Sequence, residues 1–410
     1  MNSPDADKLP QGIQLTPIDE DFRNDPYKIL KELRNVAPVH EDRELGRFVA
    51  TRHDDVKAVL HDKAFFTDPR KANPGTFSRE VIGASLVGDE EPSMLLMDEP
   101  DHRRLRALVS APFKPRSVER WRAHIRDIVE ATLDKISADE FDLIERFAGP
   151  VPTVVIAEML GVDPAKHNDF KRWSDLMVQV GFNPYPSDEQ RARAETANEA
   201  LENLFLEEIE QRSGALGEDL ISDMLRAEEA GEKLDVQEIV AQCRLLLVAG
   251  NVTTTDLIGN GVFALLSHPD QLQKLRADPS LIAQAVEEIL RFDSPVINSG
   301  RIPNRNITLS GCPVSKGSSI SPSLGAANRD PSVYPDPDTF DITREDNHHQ
   351  SFGGGRHLCL GAHLARIEGQ EAILGLLRRY PHLEQSDKGA TRHAIPSFRG
   401  FSEFWVCGRA

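Results

Sequence analysis

The sequence has few cysteines and lacks any apolar run long enough to cross a membrane. Its four cysteines among 410 residues are widely spaced and form neither a CxxC nor a Cys/His finger pattern, which argues against a disulfide framework and a zinc site. The N-terminal stretch MNSPDADKLPQG lacks the basic-then-apolar pattern of a signal peptide, and no apolar stretch approaches the roughly 18 residues that span a bilayer. We therefore expect a soluble, cytoplasmic protein without a membrane anchor.

An excess of positive charge is also lacking, because 66 acidic residues outnumber 48 lysines and arginines to give a formal net charge of −18. This balance speaks against a nucleic-acid-binding surface. One segment is an exception: His102 to Arg126 carries eight lysines and arginines and the single acid Glu119. Such a patch could attract an acidic protein partner. Alternatively, several of these side chains only solvate helix faces or serve a bound anion.

Hydrophobic periodicity predicts a mostly α fold with a minor β portion. Short strands are expected near 39, 48–51, 302–309 and 318–321. The predicted helices are 26–36, 101–111, 116–136, 154–161, 165–180, 188–212, 218–230, 235–266, 271–277 and 281–292, with a last helix after Cys359. No repeat or break in composition marks a linker. We therefore expect a flexible N-terminal arm over 1–20 and one domain over 21–410.

The segment FGGGRHLCLG, residues 352–361, places Cys359 behind a glycine-rich turn and ahead of the last predicted helix. A helix N-terminus favours thiolate over thiol, so Cys359 is a candidate anionic metal ligand. The glycines, Gly353 among them, let the backbone approach a flat object closely, and Phe352 supplies an apolar wall. The alternative is a buried structural cysteine, since free cysteine is among the most buried residue types.

The helix predicted over 235–266 begins with a capping box formed by Asp235 and Glu238 and is far longer than the average of about 12 residues. Its middle, AGNVTTT at 249–255, is a poor helix sequence because of one glycine and three consecutive threonines. Thr253 can donate a hydrogen bond to the carbonyl of Ala249 and open a groove lined by Gly250. The alternative is a kinked core helix without chemistry.

The spacing Phe-x-x-Gly-x-His-x-Cys-x-Gly closely resembles the haem-binding loop of the cytochrome P450 family, and the resemblance extends from about residue 20 to the C-terminus. It implies a single-domain cytochrome P450 fold, a triangular helical prism around haem b (iron protoporphyrin IX). By this resemblance Cys359 is the axial ligand of the haem iron, and Phe352, Gly353 and Gly361 lie against the cofactor.

The middle of the long helix resembles the family's distal oxygen-binding groove, in which a glycine makes room for O2 and a threonine hydroxyl orients protons. Gly250 and Thr253 match those positions, and Ala249 and Asn251 flank them. The family usually has an acid immediately before the threonine, whereas this chain has Val252. The resemblance therefore leaves Asn251, Thr254, Asp256 or ordered water as substitutes in the proton relay.

A haem carries two propionates, so its pocket should supply cations and hydrogen-bond donors. The resemblance assigns this role to four residues: His102, Arg106, Arg301 and His357. Glu288 and Arg291 form an E-x-x-R sequence on one helix face. They resemble the family's structural glutamate–arginine pair, so we expect them to support the fold and not the chemistry.

The resemblance implies a haem-thiolate monooxygenase that hydroxylates a medium-sized apolar small molecule with O2. The sequence has no flavin or iron–sulfur motif, so electrons are expected from a ferredoxin-type donor and its reductase. The candidate substrate-pocket residues are Phe77, Phe182, Val296, Ile297, Asn298 and Phe398. Two alternatives stay open: an atypical enzyme on the same fold, such as a peroxygenase, desaturase or oxidative coupling catalyst, suggested by Val252, and a non-catalytic haem-binding protein.

Overall fold

The computed structural model describes residues 9–85, 93–181, 183–212, 214–229 and 231–408. As predicted, these ranges are mostly helical with small sheets. The α-helices in chain order are α1 Glu20–Asn24, α2 Pro26–Val36, α3 His53–His61, α4 Asp101–Val109, α5 Pro115–Glu119, α6 Arg122–Leu133, α7 Pro150–Leu160, α8 His167–Gly181, α9 Asp188–Arg212, α10 Leu220–Arg226, α11 Val236–Ser267, α12 Pro269–Ala277, α13 Ile282–Phe292, α14 Leu324–Ala327 and α15 Ala362–Arg379.

The strands pair into two three-stranded sheets and three two-stranded ones. They are β1 Val39–Asp42, β2 Arg47–Ala50, β3 Phe65–Phe66, β4 Glu140–Asp142, β5 Glu228–Glu229, β6 Glu232–Lys233, β7 Ile302–Pro303, β8 Ile307–Leu309, β9 Cys312–Val314, β10 Ser319–Pro322, β11 Glu384–Arg392 and β12 Phe401–Cys407. In the first sheet β2 lies between β1, which is antiparallel to it, and β10, which is parallel. In the second, β12 lies between β11 and β4, both antiparallel. The remaining pairs are β3–β7, β5–β6 and β8–β9.

The helix α11 runs through the core for 32 residues and begins at the predicted capping box, in which Asp235 and Glu238 bond each other's backbone N–H groups. It packs against α7, α8, α9 and α15. Apolar residues surround it on most sides, as expected of a helix buried over most of its circumference. This central helix and α15, which follows Cys359, position the candidate site.

The N-terminal segment differs from the expectation of a flexible arm over 1–20. Within its described part, the backbone N–H of Gly12 donates to the Asp42 carboxylate at 2.8 Å. Leu15 packs with Leu33 and Val49 in a small apolar cluster. Burial of these apolar side chains attaches residues 9–20 to the rest of the protein. The proposed domain boundary at residue 21 remains a prediction.

Two predicted elements are divided in the structure. The helix expected over 116–136 is split into α5 and α6, because the backbone N–H groups of Arg120 and Trp121 bond carbonyls only three residues back and form a tight turn. The strand expected over 302–309 is β7 and β8, which pair with different partners, β3 and β9. In the described ranges no helix is both long and apolar enough to cross a membrane.

Candidate active site

The cysteine loop is tied at both ends by backbone contacts. The N–H of Cys359 donates to the carbonyl of Phe352 at 2.9 Å, which closes the loop. Gly355 has a positive φ of 63°, and a Cβ there would lie 2.4 Å from the carbonyl oxygen of Leu60 on α3. Only glycine fits this close approach in this conformation. The loop is thereby held between the end of α3 and the start of α15.

The thiol of Cys359 accepts a hydrogen bond from the backbone N–H of Gly361, and Arg106 and Arg366 lie close enough to stabilise a thiolate. Part of the residue's surface is accessible, yet the protein atoms packed around the sulfur desolvate it and raise the pKa of the thiol. The sequence predicted the opposite direction from the helix N-terminus alone. Desolvation outweighs that effect.

Beside the loop the structure brings together the four predicted propionate-binding residues. His102 and Arg106 share one face of α4, and the His102 ring lies against the His357 ring with centroids 4.1 Å apart. His357 Nε2 lies 3.2 Å from the hydroxyl oxygen of Thr67. Burial and the charges of Arg301, His102, Arg356 and Arg106 lower the pKa of His357 to about 2. The cluster is strongly electropositive.

Arg301 is the most buried cation of this cluster. Its guanidinium donates to the Ser299 hydroxyl at 3.0 Å and to the Gly300 carbonyl at 2.7 Å, and it has no ion-pair partner among the residues that the structure describes. Burial and the charge of Arg356 lower the pKa of Arg301 to about 10, against the opposing effect of Asp98. A buried charge without a counter-ion is costly, so an anion at this position would be stabilised.

These residues fit a haem. The Nε2 atom of His102 is buried and has no hydrogen-bond partner among the described residues, so it can bond an anionic oxygen. The guanidinium groups of Arg106 and Arg301 and an N–H group of His102 would suit two propionates, and Cys359 would supply a soft sulfur ligand to the iron. Phe352 is half-buried in the core beneath Arg366, whose guanidinium lies 4.4 Å from the ring centroid. Gly353 has φ 68°, and Gly361 is the N-cap residue of α15.

The middle of α11 shows the predicted threonine contact. The hydroxyl of Thr253 donates to the carbonyl of Ala249 at 2.7 Å, while the helix continues without a break. Ala249 is exposed, and Gly250 and Thr253 are half-buried. A Cβ at Gly250 would meet only Ile156, at 3.7 Å, so helix packing does not require glycine here. Accessible small residues in the middle of a core helix indicate a functional surface.

Asn251 does not share that surface, contrary to the expectation. Its Oδ1 accepts from Thr153 on α7 at 3.0 Å, and its Nδ2 donates to Ser174 on α8 at 3.1 Å. Both ends of the amide are therefore used in helix packing. Val252 is buried as well, with 7% of its surface exposed.

Glu288 and Arg291 form the predicted pair on α13. Two hydrogen bonds of 2.7 and 2.8 Å join them, and both side chains are fully buried. Arg291 also donates to the carbonyls of Asn328, Pro337 and Thr339. The pair thus fastens the segment before the cysteine loop to α13, which is a structural role.

The candidate substrate-pocket residues do not form one group. Phe77 packs with Leu45 and Ile82 beneath Arg47. Ile297 packs outward against Phe22.

Phe398 also lines a crevice with Ile297 and Phe22. Val296 and Asn298 alternate with Ile297 in extended backbone and so lie on the other face. Ile297 and Phe77 thus each pack in a different apolar cluster from Val296. Phe182 lies outside the described residues.

Two members of the cluster were missed by the sequence analysis. Arg356, in the glycine-rich loop, is fixed by the Lys63 carbonyl at 2.9 Å and lies close enough to lower the pKa of His357. Thr67 contacts His357 directly. Arg356 could have been found from its position one residue before His357, but nothing in the sequence connects Thr67 to the loop.

Comparison with known proteins agrees with this geometry. The family model for cytochrome P450 matches residues 46–394. The 6-deoxyerythronolide B hydroxylase of Saccharopolyspora erythraea is 37% identical over 377 residues, which are 89% of this chain and 91% of the relative. The vitamin D(3) 25-hydroxylase of Pseudonocardia autotrophica is 39% identical over 370 residues, 88% of each chain.

Among solved structures, that of CYP109E1 from Bacillus megaterium in complex with testosterone matches with a TM-score of 0.84 at 32% identity. The match covers 94% of this chain and 100% of the other. The architecture is thus the single mostly helical fold of the haem-thiolate oxygenases. The chain belongs to the cytochrome P450 family, as the loop motif predicted.

The family uses haem b as its cofactor, and relatives of this chain are named as hydroxylases and monooxygenases. The protein is therefore a cytochrome P450 monooxygenase of bacterial type. The interpretation as a non-catalytic haem-binding protein is not favoured.

Proposed function

We propose that Cys359 is the axial haem ligand and that His102, Arg106, Arg301 and His357 bind the haem propionates. The observation that carries this proposal is the electropositive cluster beside the cysteine loop, in which Arg301 is buried without an ion-pair partner among the described residues. Burial lowers the pKa of Arg106, and a thiolate at the nearby Cys359 opposes this shift. Arg106 also donates to the carbonyl of Leu358. The positive charges of the cluster thus lie beside Cys359, the candidate iron ligand.

When bound, the haem supplies O2 activation and oxygen transfer. The chain contributes a distal surface in which Ala249 and Gly250 leave room for a small ligand. The Thr253 hydroxyl is placed there to hold a proton donor, since its own proton is directed at the Ala249 carbonyl and its oxygen can accept from water. The buried Val252 excludes water from the adjoining position.

The substrate we propose is a medium-sized apolar small molecule. Support comes from the names of the relatives, which act on 6-deoxyerythronolide B and vitamin D(3), and from the testosterone bound to a structural neighbour. Val296, which is apolar and only partly buried, would contribute an apolar contact to the pocket wall. Asn298 adds one amide, whose Oδ1 is buried without a partner. Such a wall suits a largely apolar molecule with few polar groups.

Electrons come, in our proposal, from a ferredoxin-type donor and its reductase. The structure divides the basic segment into two groups. Arg104 pairs with Glu238, and Arg122 and Arg126 pair with Glu371. Arg106 faces the cysteine loop. The remaining four are exposed and make no ion pair with described residues, namely Arg103, Lys114, Arg116 and Arg120. We call these four residues the basic strip; it suits an acidic protein surface.

The test of the haem assignment is the spectrum of the reduced, carbon monoxide-bound protein. We expect the red-shifted Soret band of thiolate ligation, and Cys359→His should abolish it. Cys312→Ser is the control, since Cys312 lies on β9, outside the loop. Retention of the band in Cys359→His would overturn the assignment.

The alternative of an atypical activity rests on Val252, and the relatives named as hydroxylases and monooxygenases do not favour it. A peroxygenase would turn over faster with hydrogen peroxide than with a ferredoxin and its reductase. Turnover supported only by the ferredoxin system would reject that candidate.

A further inference from the structure

Asp256 is the first carboxylate after Thr253 along α11. The two residues are three positions apart, so they are neighbours on the helix surface. A helical side chain leans over the turn that precedes its own Cα, which brings the carboxylate of Asp256 to the level of Val252 and Thr253. Asp256 is buried, with 2% of its surface exposed. The helix therefore carries a buried acid three residues after Thr253, on the side that packs against Gly400 and His393, although Val252 is not an acid.

The partner of Asp256 is His393, which directly follows β11 in the C-terminal hairpin. His393 Nε2 lies 3.1 Å from each oxygen of the carboxylate. The histidine side chain is 10% exposed and that of Asp256 only 2%. The ring also lines a narrow crevice whose walls include Arg23 and Phe398. The imidazole is thus on the solvent side of the pair, and the carboxylate is on the helix side.

The charges around the pair determine which protonation states it can hold. Arg392, next to His393, pairs with Asp293 at 2.7 Å, and Arg399 pairs with the same carboxylate. Tyr27 donates to Asp293 as well. Burial raises the pKa of Asp256, while His393 and Arg392 oppose the rise and Asp293 adds to it. Since Asp293 is shared by two arginines, Asp256 is the counter-ion available to a protonated His393.

We propose that His393 and Asp256 form a proton inlet that feeds Thr253 in place of the acid missing at Val252. In one passage a solvent proton adds to His393 Nδ1, and the proton on Nε2 moves to Asp256. The acid then releases its proton through a water molecule toward the Thr253 hydroxyl. One proton enters, one leaves, and no electron moves. The ring ends neutral with its proton on Nδ1 and regains the first tautomer by exchange with solvent.

The inlet deepens the proposed monooxygenase function and rests on it. Nδ1 accepts only a long contact of 3.4 Å from the backbone N–H of Ile395, which a proton at Nδ1 would displace. Histidine exchanges protons near neutral pH, whereas a buried carboxylate alone cannot collect them from solvent. Asp256 and His393 act through Thr253 and are therefore positioning residues in this scheme.

The experiment compares Asp256→Asn and His393→Gln with the wild-type, haem-loaded enzyme. The measured quantity is the fraction of NAD(P)H electrons recovered as hydrogen peroxide, followed from about pH 6 to about pH 9. In the wild type this fraction should rise with pH. Both variants should raise it at least about threefold near neutral pH and flatten its pH dependence, because a positioned proton donor has been lost. Asp256→Glu should restore part of the wild-type profile.

Asn260→Ser is the matched control. Asn260 lies one turn further along α11 and bonds the carbonyls of Asp293 and Arg399, so the variant weakens the same contact between helix and hairpin. It should lower stability without changing the pH profile of peroxide release. Equal profiles in Asp256→Asn and Asn260→Ser would assign a purely structural role to Asp256 and overturn the inlet.

A second readout does not depend on turnover. In nitrogen NMR spectra of the reduced, carbon monoxide-bound protein at one fixed pH, the signals of the His393 ring nitrogens should differ between wild type and Asp256→Asn, because the carboxylate that contacts Nε2 is lost. Ring-nitrogen signals that are the same in both proteins overturn the inlet. If the thiolate band is present and neither variant changes the pH dependence of peroxide release, the inlet alone is wrong. If the band is absent, the proposed function and the inlet are both wrong.

Discussion

The imidazole ring of His102 on α4 lies against that of His357 in the cysteine loop, with ring planes inclined by 40°. Burial and neighbouring arginines lower the pKa of both rings, so near neutral pH both are uncharged. Their contribution to an anion is therefore an N–H hydrogen bond, while the charge comes from Arg106 and Arg301. This division of roles makes the arginines the sensitive positions for cofactor retention.

Arg301→Ala should weaken haem retention, because a propionate would lose a charge-assisted hydrogen bond worth about 1.5–3 kcal/mol. Arg106→Ala should have the same effect. The measurement is the rate of haem transfer to apomyoglobin, compared with that of Arg305→Ala, which removes an exposed arginine from the same stretch of chain. If both variants release haem no faster than this control, the propionate assignments are wrong.

The basic strip predicts salt-sensitive electron delivery. Arg103→Glu combined with Arg116→Glu should raise the apparent KM for an acidic ferredoxin, and wild-type reduction should slow as salt rises, because the Debye length is about 10 Å at 0.1 M ionic strength. Arg172→Glu with Arg193→Glu is the control, since it makes the same change of net charge on α8 and α9. If both double variants change the reduction rate equally, the ferredoxin binds a surface other than the basic strip.

Local features were predictable from sequence, because each depends on residues within one helical turn. The cap at Asp235, the hydrogen bond of Thr253 to Ala249 and the pair of Glu288 with Arg291 are all of this kind. Each was confirmed in the structure. Their geometry follows from helix spacing, whichever elements pack around them.

Contacts between distant segments were not predictable. Asn251 was placed in the distal groove because nothing in the sequence indicates that Thr153 and Ser174 occupy its amide. The pairing of Asp256 with His393 joins α11 to a hairpin whose first strand, β11, was also missed. That strand has the sequence EQSDKGATR, which lacks the apolar alternation that identifies strands.

Breaking the pair of Glu288 and Arg291 should cost about 3–5 kcal/mol, because removing one partner leaves the other as an uncompensated buried charge. Glu288→Gln is the change, and the midpoint of chemical unfolding is the measurement, with the amount of folded protein recovered as a second readout. Glu130→Gln is the control, since Glu130 pairs with Arg378 at the surface. A loss no larger than in this control would show that the buried pair does not stabilise the fold.

Glu368→Gln should make the protein more stable than the wild type at alkaline pH. Glu368 on α15 is buried, its Oε2 bonds none of the residues that the structure describes, and burial raises its pKa well above the usual 4.5. As the pH rises above that ordinary value, the unfolded chain ionises while the folded state keeps the proton, so wild-type stability falls. Glutamine cannot ionise, which removes this loss, worth about 1.4 kcal/mol for each unit of raised pKa.

The measurement is the free energy of unfolding in denaturant at about pH 5, 7 and 9. The stability of Glu368→Gln relative to the wild type should increase as the pH rises. Glu371→Gln is the matched control one turn along α15. Hydrogen bonds from Arg126 and Arg122 lower the pKa of Glu371 against the opposing effect of burial, so its contribution to stability is present above the ordinary carboxyl pKa. That variant should therefore lose stability at neutral and alkaline pH. Parallel pH curves for wild type and Glu368→Gln would mean that Glu368 is already ionised in the folded protein.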